Sequence, residues 1–281
     1  MNYRHAFHAG NFADVLKHAT LARILLHLCT KPAAFRVIDT HAGAGLYDLT
    51  GPEASRTGEW RDGIGRLRAA PLAPEIASLL APYLEAIGAF NEGDALKRYP
   101  GSPLLALRLM RTQDRLTACE LSPLAAAALE HALARDARAT VVTIDGYVAL
   151  KAYVPPKERR GFVLVDPPFE QPDEFSRLAN CIEQAWRKWA TGTFMLWYPL
   201  KDRRAATAFA HALGAGPLRK ILRAELDVNA SATELGAAGL IIINPPWRLA
   251  DELNLLLPAF VRLFARGSGG GYRLDWLRRE A

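Results

Sequence analysis

The chain has 281 residues, of which half are hydrophobic, 23% are charged and 9% are aromatic, and its formal net charge is +6. This composition is ordinary for a globular protein and excludes a disordered, collagen-like or coiled-coil chain. The positive charge is compatible with a polyanionic partner, but it is far below that of a histone-like binder of nucleic acid.

The sequence predicts alternating helices and strands. Ahead of the first strand, Asn11 can cap a helix whose apolar side includes Phe12 and Leu16. Short β-branched or apolar runs then recur between stretches with helical spacing. The seven strand candidates are residues 35–39, 116–120, 140–145, 161–166, 193–198, about 218–226, and 239–244. We therefore predict an α/β fold with a Rossmann-like, doubly wound, seven-stranded and mostly parallel sheet.

One segment interrupts this alternation. From about residue 49 to residue 100 the sequence predicts no strand, only helical patches near 60–67 and 76–90 that Gly and Pro punctuate. No long Gly/Ser linker flanks the segment, so we expect it to pack on the core. The predicted organisation is a core formed by residues 1–48 and 101–281, with a small helical insertion at residues 49–100.

The first predicted strand runs into a glycine-rich turn that contains Gly43 and Gly45. Glycine lets the backbone reach positive φ and approach a ligand without a Cβ clash. Binding of a nicotinamide dinucleotide needs a third glycine, and Asp48 stands where that glycine would be. The turn therefore predicts a ligand site and disfavours an NAD-dependent oxidoreductase.

Four successive strand candidates end in an acidic residue: Asp39, Glu120, Asp145 and Asp166. In an open α/β sheet, ligands bind outside the carboxyl ends of the strands. An acid after the second strand can accept hydrogen bonds from both ribose hydroxyls of a nucleoside cofactor, and an acid after the third can accept one from an adenine amine. The series therefore predicts that Glu120 and Asp145 bind a nucleoside.

The most specific motif is Asp166-Pro167-Pro168-Phe169, at the end of the fourth predicted strand. An adenine N6 amine is a weak nucleophile because its lone pair is delocalised into the ring, so a methylating site must hold the amine and stack the flat base. The carboxylate of Asp166 and the carbonyl of Pro167 can accept hydrogen bonds, and Phe169 offers a stacking face. The motif predicts these three residues as the catalytic residues of amine methylation.

A second copy of the motif, Asn244-Pro245-Pro246-Trp247, follows the last predicted strand. Asparagine both accepts and donates hydrogen bonds, so amine methylation can use either Asp or Asn at this position. Strand order distinguishes the two copies, because Asp166 comes directly after the acid-bearing strands and Asn244 comes several strands later. We expect Asp166 to carry the chemistry and Asn244 to belong to a structural turn.

Metal, disulfide and membrane sites are not indicated. The three cysteines, Cys29, Cys119 and Cys181, lie far apart without a CxxC pair, which argues against a disulfide framework or a structural zinc and fits a reducing cytoplasm. His5 and His8 have no further ligand at metal spacing, so we expect no metal. The apolar runs are too short or too interrupted to span a bilayer, so we expect a cytoplasmic protein without a membrane partner.

Together these motifs resemble a class I S-adenosylmethionine-dependent amino-methyltransferase, and they look like the RlmJ family of 23S rRNA adenine-N6 methyltransferases. The resemblance spans nearly the whole chain. The matching segments are residues 3–11 (YRHAFHAGN), 14–18 (DVLKH), 39–45 (DTHAGAG), 99–103 (YPGSP), 166–169 (DPPF) and 196–199 (LWYP). One departure is Phe169, where the family more often has tyrosine, so stacking is retained and a hydroxyl is lost.

The resemblance implies a class I methyltransferase fold, S-adenosylmethionine as the cofactor, and roles for individual residues. Together with Gly43 of the glycine-rich turn, the residues expected at the cofactor are His18, His41, Ser102, Glu120, Asp145, Gly146 and Asp166. The residues that the family implies at the substrate entrance are Tyr3, His5 and Lys17. From the residues alone, Lys17 and His18 could neutralise either a cofactor carboxylate or an RNA phosphate.

The predicted activity is direct transfer of a methyl group to N6 of one adenine in 23S rRNA by a monomeric enzyme. The expected substrate is protein-free RNA or an early assembly intermediate. One alternative is a DNA adenine-N6 methyltransferase, which the sequence disfavours because no separate target-recognition domain follows the catalytic strands. Another is a non-catalytic RNA-binding module on the same scaffold, which would not bind the cofactor.

Overall fold

The computed structural model describes residues 4–230, 235–267 and 269–280. One large sheet with helices on both faces forms its centre, and a separate two-stranded ladder lies beside it. The strands are β1 (Arg36–Asp39), β2 (Leu46–Asp48), β3 (Arg98–Pro100), β4 (Arg115–Glu120), β5 (Ala139–Thr143), β6 (Gly161–Val165), β7 (Thr193–Pro199), β8 (Ile221–Asp227), β9 (Ala237–Ile243) and β10 (Gly271–Arg278).

Helices separate most of the strands, and a 3₁₀ turn (His5–Phe7) and a π-helical turn (Arg61–Gly65) add to them. The α-helices are α1 (Phe12–Cys29), α2 (Pro52–Thr57), α3 (Arg66–Ala69), α4 (Pro74–Gly88), α5 (Ser102–Leu109), α6 (Pro123–Leu133), α7 (Gly146–Tyr153), α8 (Glu174–Lys188), α9 (Arg203–Ala215) and α10 (Leu249–Phe264). The predicted cap of α1 is confirmed, since Oδ1 of Asn11 accepts a hydrogen bond from N of Asp14 at 2.9 Å.

The large sheet has the strand order β5-β4-β1-β6-β7-β9-β8-β10. The five strands β5, β4, β1, β6 and β7 are parallel to one another. The strand β9 runs antiparallel to both β7 and β8, and β10 runs antiparallel to β8. This mostly parallel sheet with helices on both faces is a Rossmann-like α/β fold, and it confirms the predicted fold class. The carboxyl ends of five parallel strands therefore meet at one edge of the sheet.

The central strand β6 is buried on both faces. Phe162 and Leu164 pack into the apolar layer on one side of the sheet, and Val163 and Val165 pack into the layer on the other side. All four side chains have no exposed surface. This alternation is typical of a strand covered by helices on both faces. The loop that follows β6 consequently starts from the rigid centre of the molecule.

The predicted number of seven strands is wrong by one, because the sheet also contains β10. This strand lies at the edge of the sheet and has no apolar run that would have revealed it. Its position comes from pairing with β8, where Nε and Nη2 of Arg223 donate to the carboxylate of Asp275 at 2.8 and 2.7 Å. The strand β10 therefore forms because it pairs with β8, and its local sequence has no hydrophobic periodicity that would predict it.

The segment at residues 49–100 also departs from its prediction. No strand was expected there, but β3 lies at its end and pairs antiparallel with β2, so that Leu46 faces Pro100 and Asp48 faces Arg98. Three residues are too few to show a periodic pattern, which is why this ladder was missed. The helices α4 and α1 pack together in one apolar cluster, in which Leu80 of α4 is fully buried. The segment is attached to the core by both contacts.

Candidate active site

Four acidic residues lie near the edge where the parallel strands end. Asp39 and Glu120 are the last residues of β1 and β4. Asp166 directly follows β6, and Asp145 follows β5 and precedes α7. Because these four strands are parallel neighbours, their carboxyl ends lie side by side. The topology thus brings together acids that the sequence places after separate strands.

The carboxylate of Glu120 is bonded to the glycine-rich turn after β1. Its Oε2 accepts a hydrogen bond from N of Gly43 at 2.8 Å, and its Oε1 accepts one from N of Ser122 at 2.8 Å. Gly43 has a φ of +62°, and a Cβ at this position would lie 2.2 Å from Oη of Tyr47. Both the backbone conformation and this close approach require glycine. Each oxygen of Glu120 retains lone pairs for a ligand hydroxyl.

The carboxylate of Asp145 caps helix α7. Its Oδ1 accepts hydrogen bonds from N of Tyr147 at 2.9 Å and N of Val148 at 3.1 Å. Its Oδ2 pairs with Nη2 of Arg177 at 3.0 Å, and that guanidinium lies 4.1 Å from the ring centroid of Tyr147. Burial opposes ionisation, but the Val148 N–H and the Arg177 charge outweigh it and hold the pKa of Asp145 below its ordinary value. Asp145 is therefore an ionised acceptor.

Gly146 and His41 are in close contact beside this cap. A Cβ at position 146 would lie 2.5 Å from Cε1 of His41 and 2.5 Å from O of Thr40. Nδ1 of His41 shares a hydrogen bond with Oγ1 of Thr40 at 2.8 Å. Burial lowers the pKa of His41 to about 4, so its imidazole is neutral at neutral pH. The contact holds His41 between the turn after β1 and the start of α7.

A buried lysine from α1 holds the carboxylate of Asp166. Nζ of Lys17 donates to Oδ2 of Asp166 at 2.5 Å and lies 2.8 Å from Oδ1 of Asp14. The Lys17 side chain is only 5% exposed. Burial favours the neutral amine, but the two carboxylates outweigh it and hold the pKa of Lys17 well above its ordinary value. We call Asp14, Lys17 and Asp166 the lysine clamp.

Asp14, which the sequence analysis did not single out, connects the lysine clamp to the N-terminal segment. Its Oδ2 accepts a hydrogen bond from N of Gly10 at 2.9 Å and pairs with Nε2 of His5 at 3.0 Å. Burial opposes ionisation, but the charges of His5 and Lys17 outweigh it and hold the pKa of Asp14 well below its ordinary value. The sequence did contain one indication of this contact: Asp14 and Lys17 lie three residues apart, a spacing that places two side chains on the same face of a helix.

The loop after β6 turns through Phe169. This residue has a φ of +50°, a conformation that residues other than glycine rarely adopt. Its half-buried ring has its centroid 4.8 Å from that of Phe175 and 5.9 Å from that of Trp197. Pro167 is buried between Asp166 and this turn. The loop therefore holds an aromatic ring in a fixed position close in sequence to Asp166.

His18 belongs to a buried hydrogen-bonded group. Its Nδ1 shares a hydrogen bond with Oη of Tyr99 at 2.7 Å, and that hydroxyl shares one with Oη of Tyr83 at 2.9 Å. Burial lowers the pKa of His18 to about 3, so the ring is neutral. Nε2 of His18 is buried and has no hydrogen-bond partner in the described part of the chain. Such an atom fits a site that receives a polar ligand.

Ser102 and Asp39 join this group to the edge of the sheet. N of Gly101 donates to O of Gly45 at 2.7 Å, which holds the start of α5 against the glycine-rich turn. Ser102, the first residue of α5, hydrogen bonds to the carboxyl group of Asp39. Burial raises the pKa of Asp39 to about 7, although the bond from Ser102 opposes this shift. The segment after β3 therefore contacts the predicted ligand edge.

Asn244, in the second copy of the motif, lies at the opposite edge of the sheet from Asp166. Because β9 is antiparallel to β7, its last residue, Ile243, pairs with Phe194 near the start of β7. Nδ2 of Asn244 donates to O of Ala190 at 2.7 Å. This copy therefore closes a structural turn, as the sequence analysis expected.

The remaining predictions concern features outside this edge. Tyr3 lies outside the described residues. Within residues 4–230, 235–267 and 269–280, no group of three or more His, Cys, Asp or Glu side chains could hold a metal ion. Across the same ranges, no helix is both long and apolar enough to cross a membrane. The cysteines Cys29, Cys119 and Cys181 form no disulfide.

Comparison with known proteins identifies the family. The family model described as "Ribosomal RNA large subunit methyltransferase D, RlmJ" matches residues 32–278. The chain belongs to this family. The resemblance drawn from the sequence motifs is therefore confirmed, and RlmJ membership covers the glycine-rich turn, the acid-bearing strands and the loop after β6.

Individual RlmJ relatives match over their full length. The proteins named "Ribosomal RNA large subunit methyltransferase J" from Haemophilus influenzae and Escherichia coli are each 39% identical, over 283 and 282 residues, with 100% of both chains covered. A solved structure, protein LPL1258 from Legionella pneumophila, is 33% identical with a TM-score of 0.87 and covers 96% of this chain and 98% of its own. The two named relatives are therefore similar to this chain over its whole sequence, and the Legionella protein shares the architecture described above.

Proposed function

We propose that this RlmJ-family protein transfers a methyl group from S-adenosylmethionine to N6 of one adenine in 23S rRNA. The observation that carries the proposal is the lysine clamp at the carboxyl end of β6. Lys17 fixes Oδ2 of Asp166, and Oδ1 has no partner in the described part of the chain, so it can accept a hydrogen bond from an amine. The names of the relatives support large-subunit rRNA as the substrate.

The edge residues fit a cofactor that combines a nucleoside with an amino acid. Glu120 presents two fixed carboxylate oxygens for ribose hydroxyls, and Asp145 is an ionised acceptor for an adenine amine. The unpartnered Nε2 of His18 fits a polar group of the amino-acid part. When bound, the cofactor supplies an electrophilic methyl group on a sulfonium. The cofactor site that we propose comprises His18, His41, Gly43, Ser102, Glu120, Asp145, Gly146 and Asp166.

The loop after β6 prepares the target amine. Oδ1 of Asp166 accepts one N6 hydrogen and Pro167 O accepts the other, which holds the amine lone pair towards the methyl group. Phe169 stacks on the base and keeps it in plane with these acceptors. Transfer would break the bond between the methyl carbon and the cofactor sulfur as the bond to N6 forms, so the sulfonium would leave as a neutral thioether. N6 would gain positive charge, which the nearby carboxylate of Asp166 stabilises. Loss of one N6 proton to water would then restore the neutral amine.

The substrate enters beside the N-terminal segment. We propose Tyr3, His5 and Lys17 as residues of this entrance, because His5 pairs with Asp14 of the lysine clamp and Lys17 contacts Asp166 directly. The target adenine must leave its stack to reach Asp166, and an unpaired adenine costs least to extrude. We therefore propose that a monomer acts in the cytoplasm on protein-free 23S rRNA or an early assembly intermediate.

The test is methylation of unmodified, protein-free 23S rRNA with S-adenosylmethionine, followed by digestion and quantification of N6-methyladenosine by mass spectrometry. Asp166→Ala should lower the rate by roughly 10²–10³, the usual effect of removing a preorganised polar contact. The matched control is Asp173→Ala, which removes an exposed carboxylate from the same loop and should leave the rate unchanged.

Duplex DNA serves as the comparison substrate in the same assay. Methylation of rRNA alone supports the proposal, whereas preferential methylation of DNA would replace it with a DNA adenine methyltransferase. Cofactor binding without transfer to either polymer would contradict catalysis on these substrates. A normal rate in Asp166→Ala would show that Asp166 is not an active-site residue.

A further inference from the structure

We propose that Tyr99 is a positioning residue that fixes neutral His18 with its proton on Nε2, so that His18 presents a hydrogen-bond donor to the carboxylate of the bound cofactor. The inference rests on the proposed role of His18 in cofactor binding. Tyr99 lies in β3 and its partner Tyr83 lies in α4, both within residues 49–100. The segment that interrupts the alternating fold would therefore contribute to cofactor binding without touching the cofactor.

The geometry places the three side chains in one closed group. Tyr83, Tyr99 and His18 are each at most 1% exposed. The bonds join Oη of Tyr83 to Oη of Tyr99 at 2.9 Å and Oη of Tyr99 to Nδ1 of His18 at 2.7 Å. The rings of Tyr99 and His18 also stack, with centroids 5.6 Å apart. Because burial keeps the imidazole neutral, one of its nitrogens carries a proton and the other accepts.

The direction of these hydrogen bonds follows from the requirement that the buried hydroxyl of Tyr83 donate its hydrogen. In the described part of the chain, the hydroxyl of Tyr83 has Tyr99 as its hydrogen-bond partner and no other. A buried hydroxyl that donates to nothing is costly, so Tyr83 donates to Tyr99. Tyr99 then donates its own hydrogen to Nδ1 of His18, and the imidazole proton resides on Nε2.

The reverse direction leaves more groups unpartnered. If Nδ1 of His18 donated to Tyr99 and Tyr99 donated to Tyr83, the Tyr83 hydrogen would have no acceptor and Nε2 of His18 would have no donor. The proposed direction leaves the Nε2–H of His18 as the donor without an acceptor, which agrees with its unpartnered position. A carboxylate bound there would satisfy it and form a strong hydrogen bond.

The first test needs no cofactor, and its one substitution serves only to assign the His18 signal. Long-range ¹H–¹⁵N NMR of the full chain labelled with ¹⁵N-histidine reports which ring nitrogen carries the proton at neutral pH. The signal of His18 among the seven histidines is the one that disappears in His18→Gln. We expect a protonated Nε2 and an unprotonated Nδ1. A proton on Nδ1 would overturn the proposal.

The second test compares Tyr99→Phe with Tyr83→Phe. Tyr99→Phe removes the donor to Nδ1, so both tautomers become populated and calorimetric affinity for S-adenosylmethionine falls at least about twofold, because about half of the molecules present the right donor. Tyr83→Phe also removes one buried hydroxyl but leaves Tyr99 to donate to His18, so the Nε2–H tautomer remains. Thermal melting establishes that both variants fold.

Each outcome has one meaning. An unchanged tautomer in Tyr99→Phe, or equal changes in the two variants, would overturn the role of Tyr99. Absence of S-adenosylmethionine binding by the unsubstituted protein would contradict the proposed function and leave the tautomer result standing. A proton on Nδ1 together with normal cofactor binding would contradict the inference alone.

Discussion

At the residue scale, the position of the Asp166 carboxylate depends on Lys17, which lies 149 positions earlier in the chain. The motif at residues 166–169 predicted the acid from sequence alone, and the family resemblance placed Lys17 at the substrate entrance. Their direct contact could not be predicted, because packing of α1 against the sheet brings the two together. Asp14 was missed for the same reason, since its role appears only when Lys17 is buried.

Asp14→Asn should destabilise the protein. The substitution leaves the buried ammonium of Lys17 with Asp166 as its one remaining anionic partner, and breaking a buried ion pair on one side costs about 3 kcal/mol. Denaturant unfolding measures the change in the free energy of unfolding. Methyl transfer should also slow, because Lys17 no longer has a fixed position against Asp166.

The matched control for this loss is Glu183→Gln. Glu183 pairs with Arg187 at 2.6 Å one helical turn away, and the two side chains are 33% and 66% exposed. Exposed pairs of this kind contribute no more than about 0.5 kcal/mol, because water screens them. Equal destabilisation by both substitutions would show that burial does not distinguish the two pairs.

Asp39 should make stability depend on pH. Burial raises its pKa from the ordinary 3.8 to about 7, so the folded protein binds a proton that the unfolded chain releases across this range. Stability from this group is therefore present below the lower value and is lost as the pH rises towards 7. Asp39→Asn, which mimics the neutral carboxyl group, should remove this dependence.

The measurement compares unfolding free energies of the Asp39→Asn and unsubstituted proteins at about pH 5 and about pH 8. Relative to the unsubstituted protein, the variant should gain at least about 1 kcal/mol between the two conditions, since each unit of pKa shift corresponds to about 1.4 kcal/mol. If the free energy of unfolding changed with pH by the same amount in both proteins, Asp39 would ionise in the folded protein as an exposed acid does.

At the scale of elements, strand direction decides which copy of the Pro-Pro motif can reach the ligand edge. The parallel strand β6 ends at that edge, whereas the antiparallel β9 ends at the opposite one. The seven strands predicted from apolar runs agree with the structure to within three residues at each end. The three strands that were missed are either very short or polar, and they exist through pairing with a neighbour.

Gly146→Ala tests the contact between α7 and the turn after β1. The added Cβ would lie 2.5 Å from Cε1 of His41 and from O of Thr40, and a backbone oxygen cannot move aside easily. We expect a loss of about 1–3 kcal/mol in stability, typical of overpacking, and weaker binding of S-adenosylmethionine. Thermal melting and calorimetry measure the two effects.

Gly88→Ala is the corresponding control. Gly88 is the last residue of α4, and a Cβ there would meet nothing within 4 Å. Alanine favours helix more than glycine by up to about 1 kcal/mol, so this variant should be as stable as the parent protein or more so. Cofactor affinity should not change, and destabilisation here would mean that the geometric account of Gly146 is incomplete.

At the scale of the whole molecule, residues 49–100 are the part whose role the sequence left open. The β2–β3 ladder pairs residues on both sides of the predicted boundaries, and α4 packs on α1. The division into a core and an insertion remains a prediction. Hydrophobic periodicity located the helices of this segment approximately, but it could not show that Tyr83 and Tyr99 are bonded to His18.

We expect RNA affinity to depend strongly on salt, because Lys and Arg contacts to phosphates release counterions. For about six phosphate contacts with single-stranded RNA, counterion release lowers the affinity by roughly 10²–10³ between 50 and 200 mM salt. A filter-binding or fluorescence titration with an rRNA fragment measures this slope. Affinity for S-adenosylmethionine, a small ligand of low net charge, should change by less than about twofold, and a flat slope for RNA would exclude phosphate contacts as the main source of affinity.

The lysine clamp can close only after most of the parallel strands have been synthesised. Asp14 and Lys17 leave the ribosome before any strand of the sheet, whereas Asp166 follows only after β1, β4, β5 and β6. A contact between residues so far apart in sequence closes a long loop, and such contacts form late in folding. A nascent chain shorter than 166 residues therefore cannot close the lysine clamp, and Asp14 and Lys17 lack their third partner until β6 has been synthesised.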